Sequence, residues 1–412
     1  MNPAPTPTAA SPGRPRVLLG QWSSNGDCLL ATTIARQIKA DFPGCHLTWA
    51  IGSRFRDILR HNPYVDALWE IEQPTGGDIR DHERQTRARW ADFEREVQAR
   101  KQRGELDHAF LTYCGGFRNL HLYDGTVRGL LLNSYPRPIT VPVDPVLRLD
   151  GAEIARVCDF VAAHPAMTLC RQVALFECSP KSRQSSMNPD SALDLSRQLL
   201  AEFDDLCIVL SSNLAIDATD ERIVDASVLT FRENAELTRH CTLLIGCSSG
   251  LTWLSTSDGA RRLPTVQIIS AQASYPNSLA VDHERRGLPT AGILELIDPS
   301  PARAAECLRA VLREGFEAAR ARFHERLPLD TSYRMIGRAL LGEGHYADAA
   351  TYFLRTWRRE GWRPRFLAYA AAELCGHAII LARRAAGAVL RRVWPGWKGS
   401  AGRNVEDARR VL

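Results

Sequence analysis

Ser23-Ser24-Asn25-Gly26-Asp27-Cys28-Leu29-Leu30-Ala31-Thr32-Thr33 is the stretch on which the fold reading turns. An apolar run, Arg16-Val17-Leu18-Leu19-Gly20-Gln21-Trp22, precedes it and reads as a buried strand. Ile34-Ala35-Arg36-Gln37-Ile38-Lys39-Ala40 follows and reads as a helix. A turn of small residues between a first strand and a first helix lies, in an open α/β sheet, at the carboxyl end of the strand, where ligands bind. Its one carboxylate, Asp27, suits two jobs: capping the helix, or taking a proton from a substrate hydroxyl.

Outward from this turn the alternation continues. Further strands are expected over 46–51, 65–71 and 107–113. A charged segment, 78–103, carries Trp90, Phe93 and Val97 at helical spacing and reads as a solvated surface helix. Pro136, Pro138, Pro142 and Pro145 then break the pattern, which puts a domain junction near 145–170. A second series follows, with strands at 172–177, 206–210, 228–231, 243–246 and 265–269. Asn188-Pro189 opens a helix, Asn as cap and Pro at the first helical position. Two successive series of this kind predict an α/β protein of two Rossmann-like domains facing a cleft, with an α-helical C-terminal extension. The expected division is 1–15 (disordered, rich in Pro, Ala, Thr and Ser), 16–165, 166–325 and 326–412.

The chain has 412 residues, 45% hydrophobic and 24% charged, values typical of a globular protein too long for one core. No stretch approaches the roughly 20 apolar residues of a membrane span, and the first fifteen residues lack a secretory apolar core. The eleven cysteines are scattered, with no CxxC pair and no Cys/His cluster at metal spacing. They fit reduced thiols of a cytoplasmic protein rather than disulfides or a metal centre.

The net charge of +5 is unevenly placed. From Thr331 onward there are 15 Lys+Arg against 6 Asp+Glu, while the preceding 330 residues carry 37 against 41. Within that tail, Ile336 to Phe353 reads as a helical hairpin resembling a single tetratricopeptide-type unit, which needs a neighbour to cover its apolar face. From Ile379 to Lys398 a basic amphipathic helix with Trp394 and Trp397 suits either an anionic inner-membrane surface or packing on the protein itself. Nothing beyond tail charge suggests nucleic acid, and none is expected as a partner.

Two more segments can carry chemistry. Leu243-Leu244-Ile245-Gly246-Cys247-Ser248-Ser249-Gly250-Leu251-Thr252-Trp253 repeats the strand, small turn and helix. Backbone N–H groups at that helix start, with the hydroxyls of Ser248, Ser249 and Thr252 and the bare backbone of Gly250, make either an anion site or an ordinary Ser-capped turn. Phe176-Glu177-Cys178-Ser179-Pro180-Lys181-Ser182-Arg183 follows a strand. Its Lys181 or Arg183 can neutralise a leaving phosphate or be solvated loop cations. Glu177 can hold a sugar hydroxyl or be a buried carboxylate bonded to backbone N–H groups.

Together these segments resemble glycosyltransferase family nine, the heptosyltransferase group of bacterial envelope synthesis. The likeness rests on Gly26-Asp27 with Leu29-Leu30-Ala31-Thr32, on Phe42-Pro43-Gly44-Cys45-His46-Leu47-Thr48-Trp49, and on Asn62-Pro63-Tyr64-Val65-Asp66, in order over about fifty residues. It implies a GT-B fold, a nucleotide-sugar donor on the second domain, a glycan or glycolipid acceptor on the first, and no metal or other cofactor. Ser248 stands where the family has Asp before Ser-Gly, and Trp253 where it has His; altered donor choice is the reading favoured over lost activity. By the resemblance, Asp27 is the general base, with Ser24, Asn25 and Gly26 forming the acceptor-side turn. Lys181, Glu177, Ser179, Ser248, Ser249, Gly250 and Thr252 form the donor side.

The rivals are a non-catalytic scaffold that binds glycan or protein, and a sugar-nucleotide epimerase, which would need no lipid-linked acceptor. A nicotinamide dehydrogenase fits less well: the first turn lacks Gly-x-Gly-x-x-Gly, and Asp27 would repel a pyrophosphate.

Overall fold

The structure is a computed structural model. It describes residues 13–360 apart from 23, 73–78, 113–118, 179–183 and 274–275, together with isolated residues between 364 and 378. The expected disordered 1–15 and the amphipathic segment 379–398 therefore lie, the first largely and the second wholly, outside the described residues. The chain divides into two compact units, 1–332 and 333–412.

The first unit holds two all-parallel sheets. Strands β1 (Arg16–Gly20), β2 (His46–Gly52), β3 (Ala67–Ile71) and β4 (His108–Leu111) are ordered β3-β2-β1-β4. Their connections carry α1 (Asn25–Asp41), a 3-10 turn at Ser53–Leu59 and α2 (Ile79–Gln102). After β4 come α3 (Val127–Asn133), α4 (Gly151–Ala162) and α5 (Ala166–Leu169). The second sheet has β5 (Gln172–Glu177), β6 (Leu206–Ser211), β7 (Ile223–Asp225), β8 (Leu243–Gly246), β9 (Thr265–Ile269) and β10 (Ile293–Ile297), ordered β10-β9-β8-β5-β6-β7. Its helices are α6 (Pro189–Leu200), α7 (Glu233–Leu237), α8 (Gly250–Leu254), α9 (Leu279–Arg286), α10 (Pro301–Glu314) and α11 (Phe316–Phe323). Parallel strands covered on both faces need near-continuous apolar runs, and β8 and β9 are buried along their whole length.

Helix starts follow local chemistry. Asn188 caps α6 in a reciprocal pair with Ser191, Pro189 leading the helix. Helix α1 begins nine residues before the expected Ile34, at Asn25, with Ser24 as its cap. Asp27 is thus not the cap residue; it lies in the first turn.

Three sequence expectations need correction. No strand forms at 228–231: Asp225 accepts from Ser227 N–H and hydroxyl and from Ile216 N–H, which closes β7 into a turn and leaves Val228 74% exposed. Strand β10 lies beyond the last strand the sequence suggested. Helix α2 is not merely solvated: Trp90, Phe93 and Val97 are buried against Trp22 and Trp69 on the first sheet.

The two sheets share one continuous apolar cluster, from Leu19, Leu29 and Trp49 through Leu147 and Val157 to Leu175, Val209 and Leu254. A buried guanidinium ties the same junction. Arg232, beside α7, binds Glu153 of α4 in a fork, at 2.6 Å through Nε and 2.9 Å through Nη2. It also donates to the carbonyls of Asp57 (3.1 Å), Ile58, Arg60 and Arg148. The linker is fixed in parallel: Thr32 on α1 accepts from Val146 N–H at 2.7 Å, and Asp258 takes Leu147 N–H, Arg148 and Arg36.

The second unit contains α12 (Leu329–Gly342), which enters it from the first, and α13 (Tyr346–Arg359). Gly337 is where a side chain would meet the Phe353 ring, so a bare backbone lets the two helices close into a hairpin.

Arg232→Met strips the buried fork from Glu153 and leaves it only the Asp150 N–H and the half-exposed Arg60, 3.8 Å away. The expected loss is about 3–5 kcal/mol, read as a lower urea midpoint at unchanged slope.

Candidate functional site

Asp27 and Gly250 occupy the carboxyl ends of β1 and β8, one from each sheet. Helices α1 and α8 start there, and their first turns lie against each other, with Leu30 and Trp253 in one apolar cluster. A methyl group on Gly26 would lie 3.6 Å from the Gly250 Cα, and one on Gly250 would lie 2.9 Å from the Phe231 ring. The structure thus brings the first and second turns singled out in the sequence to one place.

Ser24 accepts from Asp27 N–H at 3.5 Å, and the Ser24 N–H binds the Asp27 carboxylate in return. That bond and the helix N-terminus both favour the anion. Burial outweighs them and pushes the Asp27 carboxyl up to about 7. A carboxylate that changes charge near neutrality is matched to general-base work. Asn25 and Gly26 are half-buried beside it, and Ser24 is exposed.

The donor side differs from expectation. Glu177, at the end of β5, is 5% exposed and fully engaged. One oxygen accepts from Leu251 N–H at 2.9 Å; the other accepts from Cys247 N–H at 2.8 Å, Ser249 N–H at 3.4 Å and the Thr252 hydroxyl at 2.5 Å. This is the bonding of the second reading open in the sequence, a buried carboxylate tied to backbone N–H groups. It takes three N–H groups, those of Cys247, Ser249 and Leu251, at the turn where the anion reading placed phosphate. Thr252 is committed with it. Ser248 is fully buried at φ +57°, an uncommon conformation for a side-chain-bearing residue. Its hydroxyl donates to the Asn277 carbonyl at 2.7 Å rather than facing a ligand. Trp253 points inward, into a cluster with Leu30, Leu131 and Leu279. Ser249 and Gly250 keep partial exposure. Ser179, Lys181 and Arg183 lie outside the described residues.

Residues that the sequence did not single out hold this arrangement. Asn277 is the hub. Its carbonyl takes Ser248 and, at 3.0 Å, Gln267, while its side chain accepts from Val127 N–H at the start of α3. Glu295 repeats the logic of Glu177 one helix over. It accepts from Ala280 N–H at 3.0 Å and the Ser278 hydroxyl at 2.7 Å, and burial pushes it up to about 7. Ser278 before an apolar run is a legible helix cap; carboxylates reaching across from other strands are not. Among the described residues, no group of three or more His, Cys, Asp or Glu is arranged to hold a metal, and no helix is long and apolar enough to cross a membrane.

No family model matches the chain, and no curated protein matches it. Among solved structures, a family 9 glycosyl transferase from Veillonella parvula is similar at 14% identity and a TM-score of 0.49, over 74% of this chain and 93% of that one. The ADP-heptose LPS heptosyltransferase II of E. coli is similar at 15% identity and a TM-score of 0.46, over 73% and 99%. A UDP-N-acetylglucosamine 2-epimerase is similar at 9% identity and a TM-score of 0.40, over 81% and 97%.

Glu295 has its own pH signature. Its folded value, about 7, is raised above an unfolded value near 4.5. Between those values the folded state binds more protons, so this group makes stability fall as pH rises through the window. Glu295→Gln keeps an acceptor for Ala280 N–H and removes the titration. The melting temperature of the variant should therefore lose less than that of the natural protein between pH 5 and 8. Equal losses would contradict the assignment.

Proposed function

We propose that the chain is a glycosyltransferase. It moves a sugar, heptose or related, from a nucleotide-diphosphate donor to a hydroxyl of a bacterial envelope glycan such as lipopolysaccharide core or capsule, without a metal and with inversion. The observation that carries this reading is the state of Asp27. It is a carboxyl that burial pushes up to about 7, in the first turn of the helix that follows the central strand β1 and next to Gly26, which lies against Gly250 of α8. The family-nine pattern around Gly26-Asp27 supports it.

In this reading the acceptor hydroxyl donates to an Asp27 oxygen. As that oxygen takes the proton, the hydroxyl oxygen attacks the anomeric carbon, and the bond to the nucleotide diphosphate breaks. The carboxylate also offsets positive charge on the sugar. The diphosphate's charge needs cations, because Glu177 already takes the N–H groups of Cys247, Ser249 and Leu251 around the start of α8. Lys181 and Arg183, which follow Glu177 in the sequence, are the cations proposed for it, with the partly exposed Ser249 and Gly250 as further donor-side positions. The acceptor's membrane context belongs to the same proposal: the basic segment from Ile379 to Lys398 would hold a cytoplasmic protein against an anionic inner-membrane surface.

A second reading has one observation in its favour. The α8 start is closed by Glu177, and Gly26 abuts Gly250, which suits a scaffold that binds glycan or protein without transferring sugar. Nucleotide binding separates the two. A nucleoside diphosphate or nucleotide sugar at 100 times its dissociation constant stabilises the fold by about 2.7 kcal/mol. A thermal shift of that order with one nucleotide of a panel supports the transferase; no shift with any supports the scaffold.

For the base itself, Asp27→Asn keeps the Ser24 cap and removes the proton acceptor. Turnover should fall by about 10²-fold or more, with donor affinity unchanged. Because the base must be ionised, activity of the natural protein should rise with pH through about 7 and then level. Transfer by the Asn variant at the natural rate would overturn the role.

A further inference from the structure

Behind α8, away from Asp27, helices α3, α8 and α9 bury a set of charges with unfinished hydrogen bonding. Arg128 of α3 and Asp282 of α9 are both fully buried, with Nη1 and Oδ2 3.4 Å apart. That separation is ion-pair range without hydrogen-bond geometry. Arg128 Nη2 donates to Thr256 at 2.7 Å, and the guanidinium lies 5.2 Å above the Trp253 ring. Six atoms here have no hydrogen-bond partner: Arg128 Nε and Nη1, Trp253 Nε1, Arg286 Nε, and both oxygens of Asp282. Arg286 joins the cluster through Asp124, at 3.1 Å.

Buried polar atoms are satisfied in native proteins, and several orphans in one place mark a ligand or ordered solvent. The chemistry of the orphans selects which. Four are donors and two are carboxylate oxygens. An anion gathered by the donors would sit against Asp282; a cation taken by Asp282 would sit against two guanidinium groups. Only a small neutral species that both donates and accepts completes the set. A buried water makes about three hydrogen bonds, so six orphans call for about two waters.

We propose that the junction of α3, α8 and α9 is a built water site, in which about two ordered waters bridge Arg128, Trp253 and Arg286 to the Asp282 carboxylate. The site adds solvent bridges to the direct contacts, Arg128 to Thr256 and the cluster of Leu131, Trp253 and Leu279, that already join the helix after the first sheet to two helices of the second. Burial without full pairing also explains why Asp282 is pushed up and Arg128 pulled down from their usual ranges. The site is independent of the transferase reading.

A crystal structure of the full chain at about 1.6 Å, with further crystals soaked in sodium bromide and in rubidium chloride, tests it. Water peaks within hydrogen-bond distance of Asp282 Oδ1 or Oδ2 and of Arg128 Nε, with no anomalous signal from either soak, are expected. A bromide or rubidium peak there would overturn the proposal in favour of an ion. So would a closed two-bond contact between Arg128 and Asp282 with no solvent peak. The paired variant Arg128→Met with Asp282→Leu supplies a second readout. It should melt within a few degrees of the natural protein and show no solvent peak at the site, whereas Arg128→Met alone should melt far lower. Waters that persist unchanged in the paired variant would show that these side chains do not hold them, and the proposal would fail.

Discussion

One guanidinium sets how the two halves of the first unit meet. Arg232 has no acceptor of its own, only donors, and it is 3% exposed. Each donor must find an oxygen or be lost at a cost. Those oxygens come from the Ser53–Leu59 turn of the first sheet, from the linker at Arg148 and from Glu153 on α4. Any relative shift of the sheets would strip several bonds at once from a charge that water cannot reach. The continuous apolar cluster supplies adhesion without direction; the Arg232 fork supplies direction.

With the halves fixed in this way, the N-terminal turns of α1 and α8 lie against each other. Two adjacent helix starts gather unbalanced positive ends. The chain answers with two carboxylates in different states. Glu177 is saturated by N–H groups and a hydroxyl, and it serves the turn. Asp27 has one N–H and a half-buried setting, and it keeps spare acceptor capacity. The contrast between a spent carboxylate and an unspent one is what makes Asp27 the candidate for chemistry.

The sequence shows clearly whatever is decided by neighbours in the chain. Asn188-Pro189 opens α6 because cap and first-turn residues are adjacent, and the strands at Gln172–Glu177 and Leu243–Gly246 carry their own apolar runs. What depends on distant partners is hidden. Glu177 could be weighed as sugar ligand or structural group, but the N–H groups that decide the matter arrive about 70 residues later. Ser248 and Trp253 read as donor-site positions because they stand where the family-nine pattern has Asp and His; in the folded chain Asn277 and an apolar cluster claim them. Val228 has the composition of a strand and loses to a turn, because Asp225 supplies bonds that a ladder would otherwise have made.

The strand order of the second sheet has a consequence for how the protein is made. Strand β5 emerges from the ribosome first yet lies inside the sheet, between β6 and β8. Its β8 edge stays open until the chain has grown through residues 243–252, about 70 residues on. At typical elongation rates that is on the order of 3–14 s. Throughout that interval β5 offers an unsatisfied row of backbone groups to any passing strand, and Glu177 is a charge with nothing to hold. Translation speed between β5 and α8, more than any single contact in the finished protein, sets how long the nascent chain is open to mispairing.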